Sequence, residues 1–149
     1  MKKILIIPIL CISLCLQLPA QEGGKNAEKI EAMKIAFITE KVGLTPEEAK
    51  VFWPVFNQFE AEQKNLRKKH RQDKAAIMDD FSNASDAEIE KMVDGEIIFR
   101  QQELDILKKY QPQFKKILPI KKVALLYKAW DDFQKELLKK IQEKGARRQ

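Results

Sequence analysis

GLTPEEAKVFWPVFNQFE, residues 43–60, opens as a capped helix and then concentrates Phe52, Trp53, Phe56 and Phe59 around Pro54. Thr45 is placed to cap a helix, Pro46 suits the first helical position, and Glu48 completes a capping box with Thr45. On a helical wheel Phe52, Phe56 and Phe59 cluster, Val51 and Val55 widen the stripe on one side and Trp53 on the other. The apolar arc spans roughly 200°, about twice what one packing face requires. Phe52, Phe56 and Phe59 are therefore expected in the core. Trp53 and Val51 sit at the edges, where a second helix or an outside partner would cover them. Pro54 offers no N–H to the carbonyl of Lys50, at a cost of about 3 kcal/mol in a regular helix. Either the helix bends there and wraps around something, or it starts afresh.

Working outward, Gly43 ends a preceding helix, as glycine does just past a last turn. That helix, NAEKIEAMKIAFITEKV (residues 26–42), carries Ile30, Met33 and Phe37 as an apolar stripe. The helix containing Pro54 runs on without a breaker to SNASDAE (residues 82–88), where Ser85 and Glu88 repeat the capping-box pattern. A third helix, Ala87 to about Tyr110, has Ile89, Val93, Ile97, Leu104 and Leu107 on one side. Gly95 weakens it by about 1 kcal/mol relative to alanine. Pro112 and Pro119 are expected to bracket a kinked connection, and a fourth helix follows from about Ile120 to Glu143 with Leu125, Leu126, Trp130, Phe133 and Leu137. GARRQ reads as a frayed tail. No segment alternates with period two, so the chain reads as all-α, four helices in one domain over residues 21–149.

The N-terminus is of another kind. Lys2 and Lys3 precede the apolar run Ile4–Leu18, and Ala20 precedes an abrupt change to QEGGKN. This is the layout of a secretory signal peptide (residues 1–20) cleaved after Ala20; the alternative, a retained anchor, has a run short for a membrane span. Both cysteines, Cys11 and Cys15, lie within it, so the exported chain has no disulfide and must hold itself together by its core. Loss of Lys2 and Lys3 leaves 26 of the 28 basic residues against 22 acidic ones, a net charge of +4. A basic chain often binds nucleic acid, but export argues against that partner. Unfolded acidic polypeptide fits better, with weak contact to anionic lipid as a further option.

Arg67, Lys68, Lys69, Arg71 and Lys74 crowd into one stretch just beyond the aromatic cluster. Such a run is ordinarily a solvated helix face. Its functional reading is a positive surface beside apolar ground, which attracts a partly unfolded chain and then holds it. Trp53, Phe56, Arg67, Lys68, Lys69, Arg71 and Lys74 are the candidate polypeptide-binding residues. Lys108, Lys109, Lys115, Lys116, Lys121 and Lys122 form a second basic zone.

Catalytic chemistry is poorly supplied. His70 is the only histidine and is set inside the basic run. Beyond residue 20 there is no cysteine and no glycine-rich phosphate loop, and Ser82 and Ser85 read as turn and cap residues. Zinc-ligand spacing is missing, and Asp79, Asp80 and Asp86 lack calcium-loop spacing. The expectation is a protein that is not an enzyme and takes no cofactor or metal.

A displacement of 74 residues superimposes Leu44 on Leu118, and Val51, Phe52, Trp53, Phe56 and Phe59 on Leu125, Leu126, Tyr127, Trp130 and Phe133. This suggests two related helical hairpins. Together with the signal sequence and the LTPEE turn, it resembles the Spy/CpxP family of periplasmic proteins, which repeats Leu-Thr-x-x-Gln at the turn into a helix. Leu44 and Thr45 match, Pro46 follows, and Glu48 stands where the family has glutamine. In the second copy Leu118 matches, while Pro119 and Lys122 replace threonine and glutamine. KIAFITEKVGLTPEEAKVFWPVFNQF with ILPIKKVALLYKAWDDF looks most like the branch described as sensors of ECF-type sigma factors. The resemblance, over roughly residues 28–142, implies a curved, hairpin-based dimer in the periplasm. It implies a chaperone of unfolded polypeptide in envelope-stress protection, or a regulator docking on an inner-membrane stress sensor or sigma-factor pathway. The metal-responsive members use ligands this chain largely lacks.

Overall fold

The computed structural model describes residues 21–146; the expected signal sequence, with Cys11 and Cys15, lies outside them. Four helices follow one another: α1 (Gln21–Val42), α2 (Pro46–Met78), α3 (Asp86–Ile117) and α4 (Ile120–Ala146). No strand occurs among the described residues, and the fold is all-α. The chain divides into two compact units within α1, between Met33 and Lys34. In the first, α1 carries Ile30 exposed. The second, beginning at Lys34, contains the core and everything described below.

Gly43 closes α1 with φ of 65°, a left-handed conformation that costs a side-chain-bearing residue strain. Its N–H donates to Glu40 O at 3.1 Å, and the Leu44 N–H reaches back to Thr39 O at 3.0 Å. Both capping boxes form. The Glu48 N–H donates to Thr45 Oγ1 at 3.2 Å, while the Thr45 N–H donates to Glu48 Oε2 at 2.9 Å. Ser85 and Glu88 do the same at the head of α3.

The helix at Pro54 does not start afresh: α2 is continuous across it. Pro54 and Lys50 are both exposed, so the carbonyl that loses its donor faces water. The missing bond is thereby compensated by solvent, and the aromatic residues on the opposite face pack undisturbed. Pro112 behaves alike. It lies inside α3, exposed, and not at a connection, so the α3–α4 link is only Leu118–Pro119. The third helix accordingly runs seven residues beyond the Tyr110 expected from sequence.

The core joins the end of α1, the first half of α2, the second half of α3 and the first half of α4. Ile38, Val42, Leu44, Phe52, Phe56, Phe59, Tyr110, Phe114, Leu118, Val123, Leu126 and Ala129 form one buried cluster. Aromatic pairs dominate it. Phe52 stacks on Phe56 at 5.2 Å, and Trp130 meets Phe56 edge-on at 5.2 Å. Phe59 contacts Tyr110 and Phe114 at 5.4 and 5.6 Å. The 74-residue echo recurs in burial: Leu44 and Leu118, Phe52 and Leu126, and Phe59 and Phe133 are all buried, while Val51 and Leu125 are both exposed.

Two expected faces are rotated. On α1 the fully buried positions are Lys34, Ile38 and Val42; of the expected stripe, Ile30 is exposed while Phe37 is half-buried against the core. On α3, Val93, Ile97, Leu104 and Leu107 are exposed, Ile97 to 75%. The face turned to α2 instead carries Met92, Glu96, Phe99, Glu103, Ile106 and Tyr110. Its two carboxylates pair with α2, and so charge holds part of an inward face where hydrophobicity alone points elsewhere.

Candidate functional site

Beyond the core, α2 and α3 continue as an antiparallel hairpin held largely by polar contacts. Arg67 Nε donates to Glu103 Oε1 at 3.0 Å. Lys74 Nζ donates to Glu96 Oε1 at 3.0 Å, with His70 Nε2 3.3 Å from the same oxygen. The His70 ring stacks on Phe99 at 4.0 Å. The carboxylate beside His70 is thus supplied by α3. Lys74 holds the Glu96 carboxyl below the usual carboxylate range through their hydrogen bond, with nearby positive charge adding to the effect.

Alongside this hairpin runs an open groove of about 520 Å³. One wall is α2: Glu60, Gln63, Lys64, Arg67, His70 and Arg71. The other is α4, where Trp130, Leu137, Leu138 and Ile141 form an apolar strip, Leu138 and Ile141 being more than half exposed. A second hollow of about 200 Å³ continues toward the core between Phe56, Phe59, Phe114, Leu126, Tyr127 and Leu107. Gln63, Arg67, Trp130 and Gln134 line both, and mark where they meet.

The expected binding residues divide. Phe56, Arg67 and Arg71 line the hollows. Phe56 is 1% exposed and belongs to the core, so it forms floor and not contact surface. Trp53 packs edge-on against Phe52 and Phe56, at 5.1 and 5.5 Å, outside the groove. Lys68 and Lys69 are exposed and line neither hollow, and Lys74 is engaged with Glu96. Among the described residues no ion pair engages Lys64 or Arg71. They stand two turns apart on α2, about 10 Å along its axis.

Sequence reasoning missed Gln63, Lys64, Trp130 as a wall, and the strip Leu137–Leu138–Ile141. A signal existed for the strip: apolar spacing in α4 continues past Phe133. Nothing in the sequence distinguishes Gln63 from a solvated glutamine, yet it is 6% exposed and its Oε1 has no hydrogen-bond partner.

The two motif turns meet each other. Lys122, at the second copy's glutamine position, donates from Nζ to Glu48 Oε2 at 2.5 Å and to Gly43 O at 2.6 Å. Leu44 and Leu118 are buried in the common core beneath them, while Thr45, Pro46 and Pro119 are exposed. The Lys122 hydrogen bond, then that from Thr45, holds the Glu48 carboxyl below its usual range. Glu48 and Lys122, 74 residues apart, are thus complementary, an acid at one turn and a base at the other.

No group of His, Cys, Asp or Glu among the described residues could hold a metal ion, and no described helix is long and apolar enough to cross a membrane. Compared with family models, curated proteins and solved structures, the chain matches none.

Proposed function

We propose that this chain is an exported, periplasmic polypeptide-binding protein of envelope-stress protection, and that the groove beside the α2–α3 hairpin is where it holds unfolded chain. The observation that carries this reading is the pairing of an exposed apolar strip on α4 with unpaired cations on α2 across an open groove. Positive charge speeds encounter with acidic unfolded segments, and apolar contact then retains them. The Spy/CpxP resemblance points the same way. The test is light scattering of a chemically unfolded acidic client with purified protein added at low and high salt. Suppression of aggregation that weakens with salt is expected. Absence of suppression at any salt refutes the reading.

A second reading has its own observation. Val93, Ile97 and Leu104 are exposed on α3, away from the groove. A regulator docking on one inner-membrane partner would use such a stripe. In that case replacing Ile97 with lysine abolishes capture of that partner and leaves generic clients unaffected. Co-sedimentation with anionic vesicles, released by salt, would instead mark membrane contact as the activity.

A further inference from the structure

The groove beside the α2–α3 hairpin is walled by side chains of two helices, α2 and α4. Inside a helix each backbone N–H and C=O is already bonded within that helix. No strand edge exists among the described residues to receive an extended segment. An extended chain laid on Leu137, Leu138 and Ile141 would therefore turn unpaired backbone groups against apolar surface, which is costly. A helix pairs its own backbone and avoids that cost.

The walls themselves have helical spacing. Trp130, Gln134, Leu137, Leu138 and Ile141 fall on one side of α4, over about 16 Å. Leu138 and Ile141 are 57% and 56% exposed, so the outer part of this strip is uncovered. On the facing wall, charge is unevenly answered. Glu60 lines the groove but is paired with Lys34. Arg67, which lines both the groove and the inner hollow, is paired with Glu103, and His70 lies beside Glu96. Lys64 and Arg71 line the groove with no acidic partner among the described residues. The groove thus sets an apolar strip opposite two uncompensated cations.

We propose that the occupant of this groove is an amphipathic helix of about three turns, its apolar face on the α4 strip and an acidic flank beside Lys64 and Arg71. Carboxylates two turns apart on that flank match the spacing of the two cations. A helix so short is marginal in water, so the segment folds as it docks. This rests on the polypeptide-binding reading and adds to it the conformation and charge pattern of the segment held.

The probe is a fluorescent peptide of about fifteen residues, with leucine at i, i+3, i+4 and i+7 and glutamates along one flank. One control is a scramble of the same composition with no apolar face; another carries glutamine for every glutamate. Affinity is read by anisotropy, and helix content by circular dichroism of the mixture against the sum of its parts. The amphipathic peptide is expected to gain helix on binding and to bind about tenfold more tightly than the scramble. At low salt, the glutamine peptide, or Lys64→Gln with Arg71→Gln, should lower affinity about fivefold, and the two losses should not add. Leu138→Gln with Ile141→Gln should lower it about tenfold. All four side chains are exposed, so the fold is not at stake in these variants. Equal affinity for the scramble, or binding without gain of helix, overturns the proposal. So does helical binding that neither double variant weakens. Aggregation of an unfolded acidic client, followed in parallel, separates this proposal from the reading beneath it. Suppression without peptide binding overturns the helical occupant alone, and failure of both overturns the polypeptide-binding reading as well.

Discussion

Lys34 is 2% exposed, with its ammonium paired to Glu60 and 5.9 Å from the Phe56 ring centroid. Removing an ammonium from water costs several kcal/mol, against which the pair and the ring act. Lys34→Met keeps the volume and removes the desolvation, while Glu60, 30% exposed, remains wetted. Its chemical-denaturation stability should fall within about 1 kcal/mol of the wild type or exceed it. A loss above about 3 kcal/mol would mean that the charge is a net stabiliser. The carboxylates give a pH dependence. Lys122 on Glu48 and Lys109 on Glu62, first by hydrogen bonding in each case, hold these groups below their usual range. Their contribution is complete above the unfolded value of about 4.3 and disappears as pH falls through the lower folded values. At the alkaline end, Glu62 raises Lys109, and burial and then Glu62 raise Tyr110. That stability is complete below about pH 10 and lost above it. Urea midpoints should therefore hold level with respect to these groups between about pH 5 and 10 and decline on both sides. In Glu48→Gln the acid limb should be shallower. An unchanged limb would remove Glu48 from the titration.

At the scale of the element, helix starts and stops were legible because they depend on local chemistry. Gly43, Thr45 with Glu48, and Ser85 with Glu88 each act within a few residues of themselves. The faces were less so. On α3 the apolar stripe Val93–Ile97–Leu104 outranks the real inward face, because Glu96 and Glu103 look like surface residues until Lys74 and Arg67 are brought opposite them. Pro112 was misplaced for a related reason: whether a proline ends a helix depends on whether the freed carbonyl reaches water, which only tertiary structure decides. Gly95 is a clean test of helix propensity. A Cβ there would have nothing within 4 Å, so Gly95→Ala should raise stability by about 0.5–1 kcal/mol in a denaturant titration. A decrease would mean that something approaches this position.

Across the whole molecule, the basic run divides between two tasks. Arg67, His70 and Lys74 bind the hairpin together, while Arg71, with Lys64 ahead of the run, is left to face the groove. A charge count cannot make that division, since it depends on which carboxylates α3 presents. The candidate site was therefore legible as a region and not as a set of residues. Lys64→Glu with Arg71→Glu should weaken capture of an acidic client about tenfold or more at low salt, with little change at high salt. Lys68→Glu with Lys69→Glu should weaken it less, being outside the groove. Equal losses would reduce the effect to net charge.

Trp130 is the natural reporter, because it lines both hollows while Trp53 lies outside them. In a Trp53→Phe protein, a permanently unfolded, tryptophan-free acidic client is titrated at low salt and the indole emission recorded. A saturable change in Trp130 emission that salt reverses is the expected result. Suppression of client aggregation with Trp130 emission unmoved would place binding elsewhere and contradict the groove as its site.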